Sequence, residues 1–211
     1  IIGTQAKAAL SVLSSLLNTD IDGSFLFAGR NQTTPPIRDY YGGAGEVEFD
    51  ARFLSEFGMS KTDPTVKNIT PGQIEIFLNG SFSSMFEPPD WQANVSNASD
   101  QGVTAYIGLG QSVDVTVSAN EAPLRELYAA IIGVAEIAGG DINDASFKKL
   151  IDVAASKVSS VVQGLADMQA RIGINQKSLE EATNQLKSRK TWLNEVILKT
   201  ESVDTYDVAT R

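Results

Sequence analysis

Neither cysteine nor histidine occurs among the 211 residues. Without cysteine there is no disulfide framework and no thiolate chemistry. Without histidine, the commonest general base, the commonest zinc ligand and every histidine-containing catalytic triad are excluded. Positive charge is scarce: 17 Lys and Arg stand against 26 Asp and Glu, for a net charge of −9. No stretch is densely basic, which argues against nucleic acid as a main partner. Long apolar runs are missing too. The longest, Ala129 to Ala138, is interrupted by Glu136 and is too short to span a bilayer, so no membrane partner is expected. The first residue is Ile1, with no initiator Met or signal-peptide pattern, and both ends fall inside helical patterns. We therefore expect a core fragment whose natural termini lie outside it.

What is present is a long heptad row. Stepping by sevens gives Ile151, Val158, Leu165, Ile172, Leu179, Leu186 and Leu193, all aliphatic. The positions three residues on are Ala154, Val161, Met168, Asn175, Ala182, Arg189 and Val196, five of them apolar. A stripe this narrow and this long predicts one helix, about 144–200, that packs lengthwise against other helices. At ~1.5 Å per residue, some fifty residues make a rod of roughly 75 Å, so an elongated molecule is expected. Asn143 or Asp144 is its expected cap, after a short turn from Asp141. Past Val196 the row fades, and Ser202, Asp204 and Asp207 suggest a break near 200–204 with a fresh helix start.

Two further helices can supply partners for the stripe. Residues 1 to about 18 place Ile2, Ala6, Ala9, Leu13 and Leu16 at helical steps. From Pro123, with Asn120 as expected cap, Leu124, Leu127, Tyr128, Ile131, Val134 and Ala135 form an apolar face that Gly139 and Gly140 terminate. The short link from there to the long helix makes the two antiparallel. We therefore expect the stripe to be the core of an intramolecular bundle. Asn175 and Arg189 should mark places where it reaches solvent. Gly164 and Gly173 each cost ~1 kcal/mol against Ala; they signal either a bend or the close approach of a neighbour.

Between these helices the pattern changes. Asp22-Gly23 is a turn signal, and Phe25-Leu26-Phe27 after it predicts a hairpin strand over 24–28. Six of the seven prolines lie between 30 and 122. Short alternating runs, Val47/Phe49, Ile74/Ile76/Leu78 and Val113/Val115/Val117, read as half-buried strands. The predicted class is α+β. Residues 1–30 plus 120–211 form a helical bundle domain with a short hairpin, and 31–119 form an inserted, variable β-rich domain.

Two stretches carry a resemblance to the flagellin family. Leu165-Ala166-Asp167-Met168-Gln169-Ala170-Arg171-Ile172, continuing to Glu201-Ser202-Val203-Asp204, is similar to the family's carboxy-terminal pattern. There a Gln-x-Arg segment (here Gln169 and Arg171) enters a long helix that ends in an acidic joint, here Asp204. Phe25-Leu26-Phe27-Ala28-Gly29, followed by Thr33-Thr34-Pro35-Pro36-Ile37, resembles a segment of the members that sit between hook and filament. The family-motif residues are thus Phe25, Leu26, Phe27, Gly29, Pro36, Gln169, Arg171 and Asp204. The resemblance implies a structural component of the bacterial flagellum, exported without a cleavable signal and assembled outside the cell. The implied partners are neighbouring junction proteins and flagellin, copies of the chain itself and an export chaperone. No cofactor and no enzymatic activity are implied.

Other readings weigh less. Filament-forming flagellin is the first alternative, and a secreted binding module on a helical stalk is the second. Asp20-Ile21-Asp22-Gly23 begins like a calcium loop, but Asn31 stands where its bidentate Glu belongs. Asn-x-Ser/Thr triplets at Asn31, Asn68, Asn79, Asn94 and Asn97 suggest exposed polar loops rather than glycan sites. Phe82, Phe86 and Trp91 fit core packing better than a carbohydrate platform. No acidic pair comes with a catalytic motif.

Overall fold

The computed structural model describes residues 1–108 and 110–208, with the side chains of 202–208 set aside. The chain is mostly helical, with one long C-terminal helix and two small antiparallel sheets. Contacts divide it into two compact units. The first comprises Ile1–Val103 and Thr116–Gln169, the second Thr104–Val115 and Ala170–Arg211.

In the first unit, α1 (Ile2–Leu17) leads into a hairpin of β1 (Asp20–Ile21) and β2 (Ser24–Phe25). Asp22 and Gly23 turn the hairpin with φ of 52° and 80°, and the Gly23 N–H donates to the Asp20 carboxylate at 3.0 Å. This is the turn that Asp-Gly favours. Helices α2 (Ala44–Phe57), α3 (Pro71–Asn79), α4 (Ser81–Ser84) and α5 (Asp90–Asn94) follow, with a short 3-10 turn over Pro64–Asn68. After the excursion into the second unit come α6 (Ala122–Ile137) and the start of α7 (Asp144–Val208). Helices α1 and α6 run antiparallel. Gly3 faces Gly139 so closely that a Cβ would lie 3.1 Å from its nitrogen, and Ser14 and Tyr128 share a 2.8 Å hydrogen bond. The core is aromatic: Phe49, Phe77, Phe82, Phe86, Trp91 and Tyr128 form a chain of ring contacts with centroids 5.1–6.1 Å apart. It joins α2–α5 to α1 and α6 without interruption.

The insertion is therefore not β-rich. Val47 and Phe49 lie in α2, and Ile74, Ile76 and Leu78 lie in α3. In α2 the buried residues are Gly45, Phe49 and Phe53, at four-residue steps, while Val47 is exposed. In α3 Ile74, Phe77 and Leu78 are buried and Ile76 is exposed. These are helical periods seen through windows too short to separate them from alternation. A capping box starts α3, with Thr70 accepting from the Gln73 N–H and the Gln73 side chain returning to the Thr70 N–H. The expected strand 24–28 is strand only at Ser24–Phe25; Ala28 makes a single bridge to Ser118.

Two helix ends also differ. Glu121, not Asn120, is the N-cap of α6, because the Asn120 side chain is engaged elsewhere. No break occurs near 200–204: α7 runs on to Val208, and Thr200 donates to the Val196 carbonyl as an interior helical residue does. At its other end Asn143 caps α7, accepting from the Ser146 N–H at 2.9 Å.

In the second unit, β3 (Thr104–Gly108) and β4 (Gln111–Asp114) form an antiparallel hairpin, irregular between Tyr106 and Gly108. The helical segment from Ala170 onward completes it. Of the alternating run Val113/Val115/Val117, only Val113 belongs to a strand.

Candidate functional site: the motif clasp and the seam of the long helix

The N-terminal motif residues build a clasp in the first unit. Phe27 packs on the core and Phe25 is half-buried, while Leu26 stays exposed. Gly29 has φ +60°, and a Cβ there would collide with the Ser99 carbonyl oxygen, so glycine is required on both counts. Pro36 is buried, and its carbonyl accepts from the Asn97 N–H at 2.8 Å. Around this loop Asn18 both donates to and accepts from Ile37, Asn97 Nδ2 donates to the Pro35 carbonyl, and the Arg38 guanidinium donates to Asn97 Oδ1. Behind it lies Asn120, whose Oδ1 accepts from Trp91 Nε1 at 2.7 Å and from Ser96 Oγ at 2.6 Å. Its Nδ2 donates to the Ala98 carbonyl and to Asp100. The motif thus serves to shape a buried loop, and its polar closure by Asn120 was not visible from spacing.

The C-terminal motif residues behave differently. Gln169 and Arg171 are exposed on α7, and the side chain of Asp204 lies outside the described residues.

The heptad row is covered along only part of its length. In the first unit, Ile151 and Leu165 are half-buried and Val158 is 39% exposed. The deeper line runs three residues on, where Val161 is 1% and Met168 8% exposed. Gly164 meets α6: a Cβ would stand 2.6 Å from Pro123 Cγ. This close approach confirms the antiparallel pairing of α6 with the start of α7 and explains that glycine. Gly173 has nothing within 4 Å of where a Cβ would lie, so no neighbour accounts for it.

In the second unit, Ile172 and Leu179 are half-buried and Ala182 is buried. Asn175, expected where the stripe reaches solvent, is instead half-buried and donates to the Asp114 carbonyl at 2.9 Å, tying the hairpin to the helix. Arg189 is exposed, as expected. Beyond Ala182 the stripe is open. Leu186 is 63%, Trp192 61% and Leu193 51% exposed, and Val196, Ile197 and Leu198 are exposed as well.

The electrostatics of the first unit centre on Lys61. Its Nζ lies 2.6 Å from Glu136, 2.9 Å from Asp50 and 3.5 Å from Glu46. Burial acts to lower the Lys61 pKa, but hydrogen bonds and charge from Glu136 and Asp50 outweigh it and the net shift is upward. Glu46 is held below its ordinary value, chiefly by the Gly42 N–H. Burial raises the phenols of Tyr40 and Tyr128. The Lys61 cluster holds α2, the following loop and α6 together. Among the described residues, no group of His, Cys, Asp or Glu is arranged to hold a metal ion, and no helix is long and apolar enough to cross a membrane. Phe82, Phe86 and Trp91 are all buried, so they form core and not a surface platform.

Comparison with family models, curated proteins and solved structures finds no match to this chain.

Proposed function

We propose that the chain is a structural protein of the bacterial flagellum, of the flagellin family, and specifically the hook–filament junction protein, hook-associated protein 3. The observation that carries the reading is the long helix α7, whose aliphatic heptads continue in the open past Ala182. An exposed row repeating in sevens is a surface made for another helix, which suits a subunit of an assembly. The Phe25–Gly29 and Pro36 loop, and the Gln169-x-Arg171 segment on α7, supply the family resemblance. In this role the protein works outside the cell without cofactor or chemistry. It stacks on junction subunits at one end, receives flagellin at the other, and reaches its place through an export chaperone.

Deleting the gene in its source bacterium tests the reading. Electron micrographs should show bare hooks, with flagellin released into the medium and filaments restored by complementation. Filaments of normal length and number in the deletion strain would overturn it. The purified full-length protein separates the filament-forming alternative: under salting-out conditions a flagellin grows long filaments alone, and a junction protein does not.

A further inference from the structure

The sequence contains one Asn-Gly pair, Asn79-Gly80. Where glycine follows asparagine, no side chain hinders the glycine nitrogen from attacking the asparagine amide carbon. The attack forms a bond between Gly80 N and Asn79 Cγ. The Gly80 N–H proton departs with the side-chain nitrogen as ammonia, which leaves a cyclic imide. Water then opens the imide at either carbonyl, giving aspartate or isoaspartate. The reaction needs only solvent.

The pair forms the corner between α3 and α4. Asn79 is exposed, so its amide meets water. Gly80 is anchored on both sides. Its N–H donates to the Ile76 carbonyl at 2.9 Å and to the Phe77 carbonyl at 3.3 Å, and its own carbonyl accepts from the Ser84 N–H at 3.1 Å. Arg52 of α2 braces the next residue by donating to the Ser81 carbonyl. Phe77 and Phe82, on either side of the corner, are buried with their rings 5.7 Å apart. A Cβ on Gly80 would lie 2.9 Å from the Ile76 carbonyl oxygen, so the corner demands the one residue that leaves Asn79 reactive. To attack, the Gly80 nitrogen must give up its bonds into α3 and swing toward Cγ. That movement opens the corner and parts the two rings.

We propose that Asn79 is a site of spontaneous deamidation that folding closes and unfolding opens, so that the chain is marked in proportion to the time it spends unfolded. The mark weakens refolding. Either product sets a carboxylate at the C-terminal end of α3, the negative end of the helix dipole, one turn from Glu75. Isoaspartate also routes the backbone through an extra methylene just where Gly80 must meet Ile76. The inference rests on the hydrogen bonds of this corner and does not depend on the flagellar assignment.

The whole chain is incubated at mildly alkaline pH, in buffer and in guanidinium chloride, and peptides spanning residue 79 are followed by mass spectrometry. Conversion at Asn79 should be at least about tenfold faster in the unfolded chain than in the folded one. Chains aged in denaturant and then refolded should melt below chains unfolded only briefly. Asn79→Ser chains, which retain Asp22-Gly23 and every other asparagine, should melt alike after either treatment. Equal conversion in the two conditions, or aged and briefly unfolded chains of the natural sequence that melt alike, would overturn the inference.

Discussion

Lys61 Nζ sits 2.6 Å from a Glu136 carboxylate whose side chain is 2% exposed, joining the loop after α2 to α6 across 75 residues of sequence. Removing only the lysine leaves a buried carboxylate without its cation. Lys61→Met should destabilise the protein by about 3 kcal/mol or more. The double variant Lys61→Met/Glu136→Leu should recover most of that loss. Urea unfolding followed by circular dichroism reads both.

The pKa shifts set the pH response. Lys61, Tyr40 and Tyr128 are all raised in the folded state. The unfolded chain therefore loses these protons first as pH rises. Their contribution to stability is complete below the ordinary values of 10.0 for tyrosine and 10.5 for lysine and declines above them. Glu46, lowered on folding, acts at the other end: its contribution is present above its ordinary value of 4.5 and fades as pH falls through its folded value. Stability measured from pH 4 to 11 should show a plateau with a steep alkaline limb. Tyr40→Phe should make that limb shallower. It should also be neutral or stabilising by ~1 kcal/mol at pH 7, because the Tyr40 hydroxyl is buried without a hydrogen-bond partner.

Three glycines separate backbone need from space. Gly173→Ala, inside a helix with open space around it, should stabilise by ~1 kcal/mol. Gly164→Ala drives a methyl into Pro123 and should destabilise despite the same propensity gain. Gly29→Ala combines a positive φ with a collision against backbone and should cost at least about 2 kcal/mol. Thermal melts of the three variants should fall in that order.

The seam can be probed at its closed and open ends. Val161→Asp places a charge where 1% of the residue is exposed and should cost about 3 kcal/mol or more. Leu186→Asp, at 63% exposure, should change stability by no more than ~0.5 kcal/mol. Equal effects would mean that the stripe beyond Ala182 is covered in solution.

Asn120→Ala tests the clasp. It strips the partner from Trp91 Nε1 and Ser96 Oγ together, two donors in a buried setting, and should cost about 2–4 kcal/mol. Asn120→Asp keeps the acceptor but sets a carboxylate oxygen against the Ala98 carbonyl and the Asp100 carboxylate, so it should be no milder at pH 7 and should recover as pH falls and the carboxylates are protonated.

The long helices were readable because their apolar periods extend over many turns: α1 and α6 form where the periodicity placed them and α7 begins there, but α7 runs past the break expected near 200–204, and α1 buries Leu10 and Leu17 while Ile2 and Leu16 of the expected face are exposed. The Asp22-Gly23 turn and the Asn143 cap were readable because each depends on chemistry within a few residues. Helices α2 and α3 were misread from fragments. Val47 with Phe49, or Ile74 with Ile76, satisfies a period of two, and only adding Phe53 or Phe77 exposes the helical step. The Thr70–Gln73 capping box was the overlooked local signal. Asn120, Arg125 and Lys61 could not be found from sequence. Their partners lie far off along the chain, as when Arg125 reaches the Phe86 carbonyl and Glu87. The heptads predicted a helix correctly but not where its cover ends, since exposure depends on which other segments reach it.

The hydrogen bond between Ser14 and Tyr128 spans 114 positions, and it closes the same pairing that sets Gly3 against Gly139. A ribosome must therefore release the chain through α6 before α1 acquires its neighbour. Loop closure over such a span is slow, and until it happens the aromatic rings of α2–α5 lack one wall. Until residues 122–137 dock, the apolar face of α1 and the ring of Trp91 stay uncovered, so the arrival of α6 is the step on which burial of the first unit's core depends.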